Sequence, residues 1–473
     1  MIECTNERQP AVVTDQETVT YGDLRRLCDV AVSELGFLKP GSVLACVMPN
    51  SVAMAVTVLA AWRLNVVLAP ISPRAPASER ARLLNVLRPA AVATPDGVAG
   101  AACVPGEIGP QAGLDDALIL FTSGSTGRPK AAILSRANVR AGVRAVVDRY
   151  RLTAEDRTVA TLPWTHGHGL IGVLLSALSA GGTVVLGGSR PVMDVLRTDR
   201  HLTWASMVPA QLTALCAAGS KPQAGRWRFL RTASAPLNRL LAARAEELLQ
   251  CPAAEAYGMT ETAHQAAANE PAFGERVLGS VGRPSPEARV RCRGPQIGDG
   301  RELEVAGPSV FRGYLGDVTA TSAALEHGWY RTRDVGRVDA SGRIHLLGRI
   351  SEHINRAGNK ISPLEVEDAL AEHPDIVASL VAGWADPAVG EEVGALIQLR
   401  PGVELSHADI ARHCHDRLAV YKHPRRIRFV TEIPTLDSGK PSRIRAAQML
   451  AAIATDRSSA GQDTGPDRLA PAR

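Results

Sequence analysis

The sequence has no long apolar run, few aromatic residues and little lysine. No stretch of about 18 uncharged apolar residues occurs, so no membrane-spanning helix is predicted. The first ten residues, MIECTNERQP, include acidic side chains and no apolar segment, so they are not read as a secretion signal. We therefore expect a cytoplasmic protein without a membrane partner. Its 473 residues exceed the usual size of one hydrophobic core, so two or more domains are expected.

The eight cysteines form no C-x-x-C pair, which argues against zinc ribbons and disulfide frameworks. The one dense cluster, His413-Cys414-His415, would point its side chains in different directions on a helix, so no metal site is expected there. The net charge of +5 is spread over many arginines without interleaved aromatic residues, so nucleic acid is not a predicted partner. Only six lysines occur; Lys130 ends the loop described below, and Lys440 ends the segment PTLDSGK at 434–440.

Strand and helix patterns alternate strictly over the first part of the chain. Short apolar runs typical of buried strands lie at 42–48 and 66–70, and helical patterns lie at 20–35, 51–64 and 77–87. This alternation predicts βαβ units and a parallel sheet, and hence an α/β fold. The tail at 454–473 is polar and rich in Pro and Gly, so it is expected to be disordered.

A buried strand followed by a hydroxyl-rich loop is the most informative stretch. Residues 118–121 are apolar, and the next nine, 122–130, contain four hydroxyls, two glycines and a terminal lysine. Such a loop cannot pack a core, but it offers backbone N–H groups, hydroxyl donors and a mobile cation, which together bind a polyphosphate. The spacing is not that of a Walker A motif, because Pro129 precedes Lys130 and Ala131 follows it.

A second motif, EAYGMTET at 255–262, offers an aromatic face for a purine, a glycine for a tight bend, a hydroxyl for phosphate and a carboxylate. Before it, the small residues of 233–235 follow a strand and would let the backbone approach a flat ligand closely. The pair His166 and His168 has no acidic or cysteine neighbour, so it is not predicted to bind a metal.

These motifs, in this order, resemble the adenylate-forming enzymes: acyl-CoA synthetases, peptide-synthetase adenylation domains and luciferases. The resemblance covers roughly residues 10 to 450. It implies a large N-terminal domain, 1–348, in which helices sandwich parallel sheets and which binds ATP and the acid. It also implies a small mobile α+β lid domain, 349–453, that carries the catalytic lysine, followed by the tail at 454–473.

The resemblance also implies a role for each motif residue. Lys440 would bridge the acid and the α-phosphate of ATP, Glu261 would bind Mg²⁺, and His166 would gate the acyl pocket; these are the expected catalytic residues. The expected substrate-binding residues are His166, Ser234 and His264, and Gly358 would approach the thiol of coenzyme A. The expected nucleotide-binding residues are Thr122, Ser123, Gly124, Ser125, Thr126, Gly127, Lys130, Ser234, Ala235, Ala256, Tyr257, Gly258, Met259, Thr260, Asp334 and Arg349.

Two positions depart from the family pattern. Arg333 stands where the family usually has glycine in Thr-Gly-Asp, and Ser351 stands at the hinge position, which is usually Asp or Lys. The segments INRAGNKISPLEVE and TETAH…NEP most resemble the oxalyl-CoA synthetase branch, which handles a small dicarboxylate. Ala256 counts against malonate, because malonate-activating relatives tend to have arginine before the Tyr-Gly-Met-Thr-Glu motif.

The first hypothesis is therefore ATP- and Mg²⁺-dependent adenylation of a small carboxylate, followed by thioester formation with coenzyme A or a carrier protein. One alternative is a diazotase of natural-product biosynthesis that uses ATP to activate nitrite and diazotise an aromatic amine. Another is an inactive nucleotide-binding scaffold. Such scaffolds usually lose the mobile lysine or the magnesium carboxylate, and both Lys440 and Glu261 are present.

Overall fold

The computed structural model describes residues 6–100, 113–122, 129–218, 226–272, 275–435 and 441–459, with side chains as far as 452. The chain divides into two compact units, a large one of Met1–Leu346 and a smaller one of Leu347–Arg473. The domain limits given above stay a prediction. Within the described ranges, no helix is long and apolar enough to cross a membrane.

The first part of the chain alternates strands and helices, as the sequence predicts. Thr20, Ser51 and Ser135 begin three of the helices, and each hydroxyl accepts a hydrogen bond from the backbone N–H three residues later. The elements are β1 (Pro10–Val13), β2 (Thr18–Thr20), α1 (Tyr21–Glu34), β3 (Val43–Cys46), α2 (Val52–Arg63), β4 (Val67–Pro70), α3 (Ala77–Leu87), β5 (Ala91–Thr94), β6 (Gly97–Gly100), β7 (Asp116–Thr122), β8 (Lys130–Ser135) and α4 (Arg136–Tyr150).

The rest of the large unit contains a π-helical stretch, Leu170–Leu175, and a single 3₁₀ turn, Thr260–Thr262, among its described residues. Its other elements are β9 (Arg157–Val159), α5 (Gly167–Gly169), α6 (Ser176–Ser179), β10 (Thr183–Val185), α7 (Val192–Thr198), β11 (Trp204–Met207), α8 (Pro209–Ala217), β12 (Phe229–Thr232), α9 (Arg239–Leu249), β13 (Ala253–Tyr257), β14 (Ala267–Ala268), β15 (Arg283–Pro284), β16 (Arg289–Ile297), β17 (Gly300–Ala306), β18 (Gly313–Tyr314), α10 (Val318–Ala324), β19 (Leu325–Glu326), β20 (Trp329–Val338) and β21 (Ile344–Arg349).

Among the described residues, the strands of the large unit form three sheets. The strand order is β15-β14-β13-β12-β11-β9-β10-β1-β2 in the first and β18-β8-β7-β4-β3-β5-β6 in the second. The third contains β16-β17-β20-β19, with β21 paired to β20. In the first sheet, strands β9 to β13 pair with one another in parallel, as do β3, β4, β5 and β7 in the second. The predicted α/β class is confirmed.

One apolar core joins the two large sheets. It contains residues from both sheets and from α1, α2 and α4, including the buried Trp164, Trp204 and Phe229. Because side chains alternate along a strand, Phe229 and Arg231 lie on the same face of β12, toward this core. Leu230 lies on the opposite face, in a second core with α8 and α9. The face of β12 that carries the apolar Phe229 therefore also carries the guanidinium of Arg231.

The small unit is an α+β structure built on an antiparallel hairpin. Its elements are a 3₁₀ turn (Ile350–Glu352), β22 (Ile354–Arg356), β23 (Asn359–Ile361), α11 (Pro363–Ala371), β24 (Ile376–Asp386), β25 (Gly390–Leu399), α12 (His407–His415), a second 3₁₀ turn (Val420–Lys422), β26 (Arg426–Phe429) and α13 (Arg443–Ser459). The strand order is β23-β22-β25-β24, and β26 lies parallel to β25.

Candidate active site

The hydroxyl-rich loop connects the two strands of an antiparallel hairpin. Thr122 at the end of β7 pairs with Lys130 at the start of β8. The ammonium of Lys130 lies 4.9 Å from the centre of the Tyr314 ring, on β18, which pairs with β8. The loop residues Ser123, Gly124, Ser125, Thr126 and Gly127 lie outside the described residues. The structure thus fixes the two ends of the predicted phosphate loop.

The second motif begins at the end of β13 and turns sharply. A Cβ atom on Gly258 would lie 1.8 Å from the carbonyl oxygen of His264, so only glycine fits at this bend. Ala256 and Tyr257 are buried, whereas Met259 and Thr260 are partly exposed. The phenol of Tyr257 donates a hydrogen bond to Asp334 Oδ2 at 2.7 Å. Two of the expected nucleotide-binding side chains are therefore brought together.

Glu261 is a buried carboxylate without an ion pair among the described residues. Its exposed fraction is 7%, and its Oε1 accepts a hydrogen bond from the Tyr314 hydroxyl at 2.8 Å. Burial and the nearby carboxylates and phenols, first among them Glu261, hold the pKa of Tyr330 well above its usual value. The Thr260–Thr262 turn packs against β7 and β8, the two strands that the predicted phosphate loop connects. A buried carboxylate that forms no ion pair within the described ranges fits a divalent metal such as Mg²⁺, which needs one or two protein carboxylates.

Asp334 lies on β20, next to Arg333, which stands where the family usually has glycine. Arg333 has φ +63°, in the left-handed region that favours glycine. Its backbone N–H donates to Glu302 Oε1 at 3.2 Å, and the N–H of Asp334 donates to the Thr332 hydroxyl at 3.0 Å. Arginine therefore takes the glycine-like conformation, and Asp334 stays hydrogen-bonded to Tyr257.

A chain of polar side chains leads away from the loop that follows β12. His168 Nδ1 lies 2.9 Å from Ser234 Oγ, and His168 Nε2 lies 2.7 Å from Ser206 Oγ. His168 is buried, whereas His166, the residue predicted to gate the pocket, is exposed. The structure thus brings His168 rather than His166 to Ser234. Ala235, the next loop residue, is partly exposed.

Arg231 and His264 form the inner end of this chain. Arg231 Nη1 donates to Ser206 Oγ at 2.9 Å, Arg231 Nη2 donates to His264 Nε2, and the imidazoles of His264 and His168 stack with centroids 4.8 Å apart. Arginine cannot accept a hydrogen bond, so His264 Nε2 is the acceptor and the neutral ring carries its proton on Nδ1. Burial, then the charge of Arg231, holds the pKa of His264 well below its usual value.

Arg231 has no role in the sequence-based interpretation. The signal was the alternation of β12, which places an arginine on the same face as Phe229. Two residues of this polar network, Ser234 and His264, also have positive φ, at +76° and +87°. Such strain costs a non-glycine residue about 1–3 kcal/mol and clusters at functional sites.

Three further expected site residues, Gly358 for coenzyme A, Arg349 for the nucleotide and the catalytic Lys440, belong to the small unit. Gly358 has φ +85° and, with Ala357 at +47°, forms the two-residue turn between β22 and β23, where a Cβ would meet no atom within 4 Å. Arg349, at the end of β21, is exposed. Lys440 lies outside the described residues; Thr435 and Pro441 on either side of its loop form an antiparallel bridge. Within the described ranges, no three His, Cys, Asp or Glu side chains are grouped as a metal site.

Comparison with known proteins identifies the family of the chain. The AMP-binding enzyme family matches residues 4–315, and the C-terminal domain of AMP-binding enzymes matches residues 365–440. The chain is 33% identical to an oxalate–CoA ligase of Arabidopsis thaliana, over 93% of this chain and 95% of that protein. It is 36% identical to a sulfoacetate–CoA ligase of Cupriavidus necator, over 70% of this chain and 66% of that protein.

Solved structures show the same fold. ATP-bound MatB from Rhodopseudomonas palustris superposes with a TM-score of 0.83 and 27% identity, over 95% of this chain and 97% of MatB. The predicted phosphate loop, the Tyr257–Asp334 pair and the buried Glu261 thus occur in a chain that matches this family over both units. The chain belongs to the AMP-binding enzymes and is an adenylate-forming ligase of the acid–CoA ligase type.

Proposed function

We propose that this protein uses ATP to adenylate a small polar acid and then transfers the acyl group to coenzyme A. In the first step a carboxylate oxygen attacks the α-phosphorus of ATP, and the bond to the departing pyrophosphate breaks. In the second step the thiolate of coenzyme A attacks the acyl carbonyl, and AMP leaves. No covalent bond to the protein is needed, so positioning and charge stabilisation supply the rate.

The observation that carries this proposal is the position of Glu261. It is a buried carboxylate without an ion pair among the described residues, and it accepts a hydrogen bond from Tyr314, whose ring centre lies 4.9 Å from the ammonium of Lys130. When bound there, Mg²⁺ would neutralise charge on the ATP phosphates. Lys130 would contact the β- and γ-phosphates, and Tyr257 and Asp334 would hold the adenosine. Lys440 would neutralise charge at the α-phosphate.

The polar residues in and around the expected acyl-binding site support a small acid as the substrate. Ser234, His168 and His264 are polar, and their network is mostly buried. A long-chain or aryl acid would place apolar atoms beside these polar groups and offer them no further hydrogen bond. The relatives named above are ligases for oxalate and sulfoacetate, both small acids. Their names as CoA ligases support coenzyme A, rather than a carrier protein, as the acceptor.

The test is pyrophosphate release with ATP and Mg²⁺ over a panel of oxalate, malonate, acetate, benzoate and nitrite, with and without coenzyme A. Release with a short acid, and acyl-CoA formed only when coenzyme A is added, supports the proposal. Glu261→Gln and Lys440→Ala should each lower the rate by about 10²–10³-fold, as removal of a charge-stabilising group does. Lys39→Ala, at an exposed lysine of the large unit, is the matched control and should keep the wild-type rate.

Two results would contradict the proposal. Release confined to nitrite with an aromatic amine, and indifferent to coenzyme A, would establish a diazotase instead. An unchanged rate in Lys440→Ala, with wild-type release present, would remove the assigned role of that lysine in adenylation.

A further inference from the structure

The phenol of Tyr314 contacts two charged side chains, Glu261 and Lys130. Its hydroxyl donates a hydrogen bond to Glu261 Oε1 at 2.8 Å, and the ammonium of Lys130 lies over its ring, 4.9 Å from the ring centre. Only 9% of Tyr314 is exposed, and the residue belongs to the apolar core of the two large sheets. One buried side chain therefore contacts both a carboxylate and a cation.

The backbone around Tyr314 holds this arrangement in place. The N–H of Leu315 donates to the carbonyl oxygen of Ala131, on β8, at 2.8 Å. The N–H of Phe311 donates to the backbone carbonyl oxygen of Glu261 at 2.9 Å. The segment that carries Tyr314 is thus hydrogen-bonded both to the strand that begins with the lysine and to the residue that carries the carboxylate.

The Tyr314 hydroxyl distinguishes the two oxygens of the Glu261 carboxylate. Oε1 accepts the hydrogen bond, whereas Oε2 has no hydrogen-bond or ion-pair partner within the described ranges. A hydrogen bond to one oxygen limits the rotation of a carboxylate and leaves the other oxygen available to a cation. Removal of a group that orients a metal ligand in this way typically weakens metal binding by about 10–100-fold.

The ring of Tyr314 acts on Lys130 through a different contact. A cation over an aromatic ring is attracted by the negative face of the π system. The hydroxyl donates to an anion, and this polarises the phenol, so that Glu261 strengthens the attraction between the ring and Lys130. The ring thus limits the positions of a long side chain that would otherwise be mobile.

We propose that Tyr314 positions both the magnesium carboxylate and the lysine of the phosphate loop: its hydroxyl orients Glu261, and its ring holds Lys130. This inference rests on the proposed roles of these two residues in binding Mg²⁺ and the phosphates of ATP. Tyr314 is a positioning residue, because it acts through its two neighbours. The two contacts use different parts of one side chain, so substitutions can separate them.

Tyr314→Phe removes the hydroxyl and keeps the ring. The dissociation constant of a non-hydrolysable ATP analogue is measured in excess Mg²⁺ and again in EDTA, and the ratio of the two constants gives the contribution of the metal. We expect Tyr314→Phe to reduce this ratio by on the order of 10-fold and to leave the constant in EDTA unchanged. A wild-type ratio in Tyr314→Phe would overturn the proposal.

Tyr314→Leu removes both the hydroxyl and the aromatic ring. It should reduce the ratio as Tyr314→Phe does, and it should also weaken binding of the analogue in EDTA by about 2–5-fold, because Lys130 loses its cation–π contact. An unchanged constant in EDTA would refute the role of the ring.

The matched control is Tyr21→Phe, which removes another buried hydroxyl of the large unit. The phenol of Tyr21 donates to the carbonyl oxygen of Gly182 at 2.7 Å, so this variant also loses a buried hydrogen bond. The control should lower Tm and keep both dissociation constants. A control that reduces the ratio as much as Tyr314→Phe would overturn the proposal, because the effect would then come from lost stability.

A measurement on the wild type covers the case in which Tyr314→Phe does not fold. Addition of Mg²⁺ to the complex with the analogue should change the ultraviolet absorption of a tyrosine, because the acceptor of the Tyr314 hydroxyl becomes a metal-bound carboxylate. The change should persist in Tyr257→Phe, and its absence from the wild type would overturn the proposal. These measurements use no acid and no coenzyme A, so a failure of the ligase function is distinguishable from a failure of this inference.

Discussion

Replacement of Arg333 by glycine should stabilise the protein. Arg333 is exposed and has φ +63°, and its backbone N–H, rather than its side chain, makes the hydrogen bond to Glu302. A non-glycine residue in the left-handed region is disfavoured by ~1–2 kcal/mol. Glycine removes this strain but gains ~0.5–1 kcal/mol of freedom in the unfolded chain. The net expectation for Arg333→Gly is stabilisation by ~0.5–1 kcal/mol.

Thermal unfolding measures this effect, and Arg333→Ala is the control. For a unit of this size, the gain corresponds to a rise of about 1–2 °C in Tm. Alanine keeps the Cβ atom and the strain, so Arg333→Ala should unfold near the wild-type temperature. The KM for ATP should stay unchanged in both variants, because Asp334 keeps its bond to Tyr257. A lower Tm for the glycine variant, or an equal rise for both variants, would refute the reasoning.

Three further changes test the packing and charge of the site. Gly172→Ala would place a Cβ 2.4 Å from His264 Nε2, so we expect a loss of about 1–3 kcal/mol in stability by denaturant titration, together with reduced activity. Tyr257→Phe removes the hydrogen bond to Asp334 and should cost ~1.5–3 kcal/mol, measured as a lower Tm and a higher KM for ATP; an unchanged KM would contradict the adenosine assignment. In the folded protein the pKa of His264 lies well below its usual value of about 6.5, so the unfolded chain binds more protons below that pH. The free energy of unfolding should therefore fall from pH 7 to 5. It should fall less in His264→Gln.

The sequence predicts those features that depend on local patterns. Strands β3, β4 and β7 and helices α1 to α3 follow from apolar runs, helix periodicity and capping residues, and all of them are confirmed within about two residues. Glu261, Tyr257 and Asp334 were identified by their motifs. The structure adds what holds them: the Tyr314 hydroxyl on Glu261, and the bond between Tyr257 and Asp334.

The polar network could not be predicted because it depends on how distant segments pack. The choice between His166 and His168 depends on the start of the short helix Gly167–Gly169, which turns one imidazole inward and leaves the other exposed. Arg231 was visible as one arginine among many. Its hydrogen-bond partners, Ser206, His264 and Gln265, come from other segments of the chain, and none of its partners within the described ranges is a carboxylate.

Product analysis of a single reaction tests the ligase function most directly. The purified protein is incubated with ATP, Mg²⁺, coenzyme A and oxalate or another short acid, and AMP, pyrophosphate and acyl-CoA are quantified together by chromatography and mass spectrometry. We expect equal amounts of the three products and no acyl-CoA when ATP is omitted. Cleavage of ATP without acyl-CoA from any acid in the panel, or the absence of AMP altogether, would contradict it.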